Sequence, residues 1–151
     1  DFAQFINRYL PDRRLYLFDT FEGFRETEIQ AGDRATIAGF RDFRDTRVEE
    51  VLSKMSYQDN VIVKKGYFPD TARDVEDRFC FVSLDADLYL PTINGLEYFY
   101  PRLEHGGYIF IHDFGTLYWK GCGEAVSEYC AKNRISFVPL LDGCLSAVIT
   151  K

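Results

Sequence analysis

Long apolar runs are missing from this chain of 151 residues. No stretch approaches the roughly 20 residues that cross a bilayer, so a membrane partner is not expected. The N-terminus carries no signal-peptide pattern. Clustered Lys and Arg are missing too, and the net charge is −6. Affinity for nucleic acid rests on basic clusters that neutralise phosphates, so no nucleic-acid partner is expected either. Cysteine is sparse: Cys80, Cys122, Cys130 and Cys144. None forms a CxxC pair, which excludes the spacing of a structural zinc site. Free, buried thiols in a reducing cytoplasm are expected, with Cys80 and Cys144 in apolar, strand-like surroundings. Internal repeats and low-complexity tracts are absent. So is a glycine-rich turn of the kind that cradles a nucleotide; Gly106-Gly107 has the wrong pattern in the wrong place.

What is present is a globular composition, 46% hydrophobic and 17% aromatic, enough for one domain with a real core. Residues 1–10 read as a helix stopped by Pro11. Residues 14–19 (RLYLFD) form a short apolar strand. Residues 20–44 are rich in Gly, Asp, Arg and Phe and lack clean periodicity. That length suits a lid or substrate loop better than an ordinary connection. Val48, Val51, Leu52 and Met55 make the stripe of an amphipathic helix over 47–57. Strands are expected at 60–64 and 79–84, the latter (FCFVSL) apolar enough to be buried on both faces. A short helix is expected at 70–77. A helix over 91–103 admits Pro91 in its first turn. The Gly106-Gly107 turn leads to a strand at 108–111. A helix over 123–133 and strands at 137–141 and 145–150, joined at Asp142-Gly143, complete the pattern. Alternation of strand and helix means an α/β, doubly wound, mostly parallel sheet, with a C-terminal antiparallel hairpin.

In such a sheet, ligands bind beyond the carboxyl ends of the strands. Three strands end in acids: Asp19, then Asp85 with Asp87, then Asp113 after His112. Asp85 and Asp113 are expected on neighbouring strands, where a pair of carboxylates suits a hard cation. His112 would add an imidazole and tilt the preference toward Mn²⁺, Fe²⁺ or Zn²⁺. Adjacent strand residues point to opposite faces, so His112 and Asp113 share an ion only if the strand has ended, as Phe114-Gly115 suggests. The competing reading makes Asp85 and Asp87 caps of the next helix and His112 a core residue; Asp87 is read as structural. Asp19 is placed to accept from ribose hydroxyls or, equally, to form a turn. His105, before a strand, is expected on the surface at the opposite end of the sheet.

The segments LYLFDTFEGF (15–24), KKGYFPDTA (64–72), SLDADLYLPTINGLEYFYPRLEHGGYIFIHDF (83–114) and GCGEAVSEYC (121–130) together resemble macrocin O-methyltransferases of the TylF type. The resemblance implies a Rossmann-like class I methyltransferase domain using S-adenosylmethionine and Mg²⁺ (or Mn²⁺). The acceptor would be a small-molecule hydroxyl of a sugar or polyketide. It makes Asp85 and Asp113 metal ligands, with His112 where the family commonly has an acid. It puts Asp19, Thr20 and Phe21 near the cofactor, with Gly66 and Phe68 of the GYFPDT loop beside it. His112 and Asp113 are the nearest candidates for a catalytic base. It also implies that residues 1–151 form a single but incomplete domain. The first strand and glycine-rich turn would be lacking, S-adenosylmethionine would bind weakly or not at all, and the exposed strand edges would favour a homo-oligomer. Two other functions suit parts of the pattern: a noncatalytic fragment that only associates, and a nucleotide-sugar glycosyltransferase whose Asp-Ala-Asp motif binds metal.

Overall fold

The computed structural model describes residues 2–30 and 43–151. These fall into two compact units, 2–24 with 43–74 and 25–30 with 75–151.

The first unit holds α1 (Phe2–Tyr9), β1 (Leu15–Asp19), α2 (Val48–Ser53) and β2 (Val61–Lys65). The two strands are parallel, Leu15 facing Val61 and Asp19 facing Lys65. Asn7, buried on α1, fastens the segment after α2: its amide donates to the Tyr57 carbonyl (3.0 Å) and accepts from the Tyr57 N–H (2.8 Å). A buried amide that satisfies both of its functions fixes one arrangement of two segments. Asn60 adds a side-chain bond to the Pro11 carbonyl. The helix α2 is shorter than its apolar stripe, ending at Ser53, while Met55 stays buried beyond it. The short helix expected at 70–77 is only a single 3₁₀ turn, Asp70–Ala72, after a cis Phe68–Pro69 bond.

The second unit is a four-stranded mixed sheet with two helices. Strands β3 (Phe79–Leu84), β4 (Leu103–Ile111), β5 (Phe137–Pro139) and β6 (Ala147–Thr150) lie in the order β3-β4-β6-β5. The β3–β4 pair is parallel; the other two are antiparallel, as the hairpin signal predicts. β4 begins earlier than expected. Its register jumps from Phe79↔Leu103 to Phe81↔Tyr108, and the glycine pair lies within that irregularity, Gly106 at φ +78°. Helix α3 (Tyr89–Arg102) buries Thr92, Leu96 and Phe99. It lies against β3, with Gly95 closely apposed to Leu84 and Phe99 edge-on to Phe79 at 5.1 Å. Helix α4 (Lys120–Asn133) buries Gly121, Cys122, Ala125, Val126, Tyr129 and Cys130. Small residues on that face let it approach closely: a Cβ on Gly121 would meet the Tyr89 backbone nitrogen at 2.8 Å.

Two expectations about burial fail. All four cysteines are free, but only Cys122 and Cys130 are buried. Cys80 shares the strand face of buried Val82 and Leu84 yet lies at the uncovered start of β3. Cys144 belongs to the turn, because β6 starts at Ala147 rather than Leu145. Nor is β3 buried on both faces; only Val82 and Leu84 are fully inside.

Candidate metal centre at the β3 and β4 strand ends

The parallel pairing sets Leu84 opposite Ile111. The next residues of each strand therefore emerge side by side at one edge. His112 is the hinge. Its N–H donates to the Leu84 carbonyl (2.9 Å), and its own carbonyl accepts from the Cys122 thiol (3.0 Å). β4 has ended at Ile111, and Asp113 takes a left-handed φ of +57°. Such a conformation is uncommon outside glycine but tolerated by aspartate. It breaks the strand's up-and-down alternation, so His112 and Asp113 need not face opposite ways. Ligand atoms of Asp85, His112 and Asp113 all lie within 4.8 Å of one another. Asp85 is exposed; His112 and Asp113 are half-buried.

This arrangement disfavours the bland reading of the acids. Leu88, not an aspartate, stands at the N-cap of α3, and no side chain caps that helix. Asp87 too has a left-handed φ of +57°. Burial, then the charges of Asp85 and Asp113, push its carboxyl up to about 7. Asp113 is also raised, by burial and Asp85, with His112 opposing. Carboxylates that hold one another's pKa values up form a site short of positive charge, and a cation would relieve it. Sequence reasoning gave Asp87 a structural role; its place among the other acids emerges only from the turn after β3.

The β5–β6 turn completes the surroundings. Gly115 donates to the Leu145 carbonyl (2.9 Å), stapling that turn to the segment after Asp113. The carboxylate Oδ1 of Asp142 accepts from the N–H groups of Cys144 (3.2 Å) and Ser146 (2.9 Å). Those bonds from Ser146, more than the nearby His112, hold its carboxyl below the usual range. The exposed Cys144 thiol is raised by burial and by Asp113, Asp142 and Asp85. Sequence reading used Asp142 only as a turn former. Its hydrogen bonds show that role. His105 is exposed near the start of β4, as expected.

In the first unit the other predicted residues meet around a single turn. Asp19 Oδ1 accepts from the Phe21 N–H (2.7 Å), so the turn-forming role of Asp19 is real. Phe21 is buried at φ +55°. The Thr20 hydroxyl donates to the Gly23 carbonyl (2.9 Å). Gly66, at φ +133°, donates its N–H to the Asp19 carbonyl (2.9 Å), which brings the GYFPDT loop to the end of β1. Phe68 lies edge-on to Phe18 at 5.6 Å. Of the loop expected at 20–44, residues 31–42 lie outside the described residues. Among the described residues, no helix is long and apolar enough to cross a membrane.

The family model for macrocin-O-methyltransferase (TylF) matches residues 4–142. The chain is 31% identical over 134 residues to an 8-demethyl-8-(2,3-dimethoxy-alpha-L-rhamnosyl)-tetracenomycin-C 4'-O-methyltransferase of Streptomyces olivaceus, covering 82% of this chain and 49% of that protein. It is 30% identical over 133 residues to the demethyldecarbamoylnovobiocin O-methyltransferase of Streptomyces niveus, covering 83% and 50%. It thus spans about half the length of these relatives. Among solved structures, the O-methyltransferase NovP superposes with a TM-score of 0.82 at 25% identity, over 99% of this chain and 66% of that one. CalS11, a calicheamicin methyltransferase, superposes at 0.74 and 20%, over 99% and 65%.

Proposed function

The chain belongs to the macrocin O-methyltransferase (TylF) family, and on that footing we propose that it serves S-adenosylmethionine-dependent, cation-assisted methylation of a hydroxyl on a sugar or polyketide-type small molecule. The observation that carries the cation is the convergence of Asp85, His112 and Asp113 at paired strand ends. Two carboxylates and an imidazole fit a divalent ion. Such an ion, when bound, supplies Lewis-acid polarisation and a template for oxygen ligands.

Transfer forms a bond from the acceptor oxygen to the methyl carbon and breaks that carbon's bond to sulfur. The leaving group would be S-adenosylhomocysteine, and the hydroxyl proton would pass to a base. His112 and Asp113 are the candidate groups at the reacting oxygen, and half-buried Asp87 adds a third carboxyl beside them. The chain's own contribution is chiefly to orient, because the methyl group is already activated as a sulfonium. Asp19, Thr20, Phe21, Gly66 and Phe68 form the proposed cofactor-binding turn, where the Asp19 carboxylate would accept from ribose hydroxyls. The acceptor class follows the relatives, whose names specify rhamnosyl-tetracenomycin and novobiocin-type substrates.

Two further elements belong to this reading. Among the described residues β1 pairs only with β2, and β3 only with β4, so each has one unpaired edge. Such edges favour association between copies. A nucleotide-sugar glycosyltransferase finds no support in a methyltransferase match running from residue 4 to 142. The deciding experiment is thermal unfolding with S-adenosylmethionine, a divalent cation, or both. A ligand that binds only the folded state raises the midpoint by mass action. Stabilisation by the cation that is lost in Asp85→Asn supports the metal centre. A chain indifferent to both ligands is the noncatalytic alternative and overturns the proposal.

A further inference from the structure

The half-buried imidazole of His112 has two uses at such a site, as a base or as a ligand, and the surroundings separate them. We infer that the cluster is tuned to a first-row transition cation over Mg²⁺, with His112 as its nitrogen ligand. This rests on the metal reading above and adds the identity of the ion.

Two observations carry it. First, the nitrogen lies in the same 4.8 Å cluster as both carboxylates, so an ion that meets Asp85 and Asp113 meets the ring as well. Mg²⁺ favours oxygen ligands and water and gains little from imidazole, whereas Mn²⁺, Co²⁺ and Zn²⁺ gain progressively more. Second, the His112 backbone is held from both sides, by the Leu84 carbonyl and the Cys122 thiol, so the ring leaves a fixed point. Cys122 is buried, which shelters its contact with the His112 carbonyl from water. A ring whose lone pair is committed to a cation is no longer a base, which leaves the hydroxyl proton to the carboxylates.

The test is competition among Mg²⁺, Mn²⁺ and Co²⁺ on the purified chain, read by thermal shift and by the visible absorption of bound Co²⁺. Later ions bind more tightly to almost any donor set, so the informative quantity is how the affinity ratio changes with substitution. His112→Asp should lower the Co²⁺/Mg²⁺ ratio at least tenfold and shift the Co²⁺ spectrum. His112→Gln serves the same purpose if the added charge prevents folding. An unchanged ratio in both His112 variants overturns the inference while leaving a carboxylate metal site intact. A sulfur charge-transfer band that disappears in Cys144→Ser would make that thiol the soft donor and overturn the assignment to His112. Binding of no cation at all sinks the metal reading itself.

Discussion

At the scale of single residues, the chemistry concentrates where the backbone does something unusual. Asp87 and Asp113 both sit at φ +57°, each just past the end of a strand. These turns crowd carboxylates that would otherwise diverge, and the crowding has a sign. In the cation-free protein the Asp87 carboxyl is raised to about 7, against about 4 in an unfolded chain. Between those values the folded state keeps a proton that the unfolded state releases. The associated stability is full below about pH 4 and drains away as the pH rises to about 7. The raised Asp113 contributes in the same direction. Asp87→Asn should therefore flatten this slope and raise the unfolding midpoint near pH 7.5 in the presence of a chelator. A midpoint that falls instead would show that the charged carboxylate is stabilised by partners it does not visibly have. A bound divalent cation should remove most of the same slope in the unsubstituted chain.

At the scale of elements, the site depends on how closely α4 approaches the segment after β4. Gly123 shows this best: a Cβ there would run into the carbonyl oxygen of Phe114, the residue after Asp113. Backbone cannot swing aside as a side chain can. Gly123→Ala should cost about 1–3 kcal/mol, the usual scale for overpacking. It should also weaken cation binding, because relief requires Phe114 to move. A variant with unchanged cation affinity would separate α4 packing from the metal centre. Leu96 offers the control. It is fully buried on α3 and is not among the proposed ligands. Leu96→Ala should lower stability by about 2–5 kcal/mol through the lost side chain and the cavity left behind. Denaturant titration measures the loss, and cation selectivity should not change.

At the scale of the whole molecule, two sheets of two and four strands replace one continuous sheet among the described residues. The edges of β1 and β3 offer parallel-strand hydrogen-bonding groups, and a net charge of −6 opposes association. Edge pairing is short-ranged and backbone-driven, whereas the repulsion is screened by salt. Association should therefore grow with both protein concentration and ionic strength. Sedimentation velocity across a concentration series at low and high salt reads this directly. A monomer under every condition would exclude self-association.

The sequence by itself determined the α/β pattern, the order of the strands' acids and the hairpin at Asp142-Gly143. Apolar periodicity and turn chemistry are local, and each was legible in a handful of consecutive residues. Asp85 and Asp113 were legible for the same reason, as the first acids beyond two apolar strands. Only tertiary structure decided whether His112 joins them, because that depends on β4 ending at Ile111 and on the left-handed turn at Asp113. Only tertiary structure showed that Leu88, not Asp87, stands at the N-cap of α3, and that Asp87 lies where burial and the charges of Asp85 and Asp113 raise its carboxyl. The exposure of Cys80 and Cys144 was likewise hidden, since burial depends on what covers a strand end or turn, and that cover comes from residues distant in the chain.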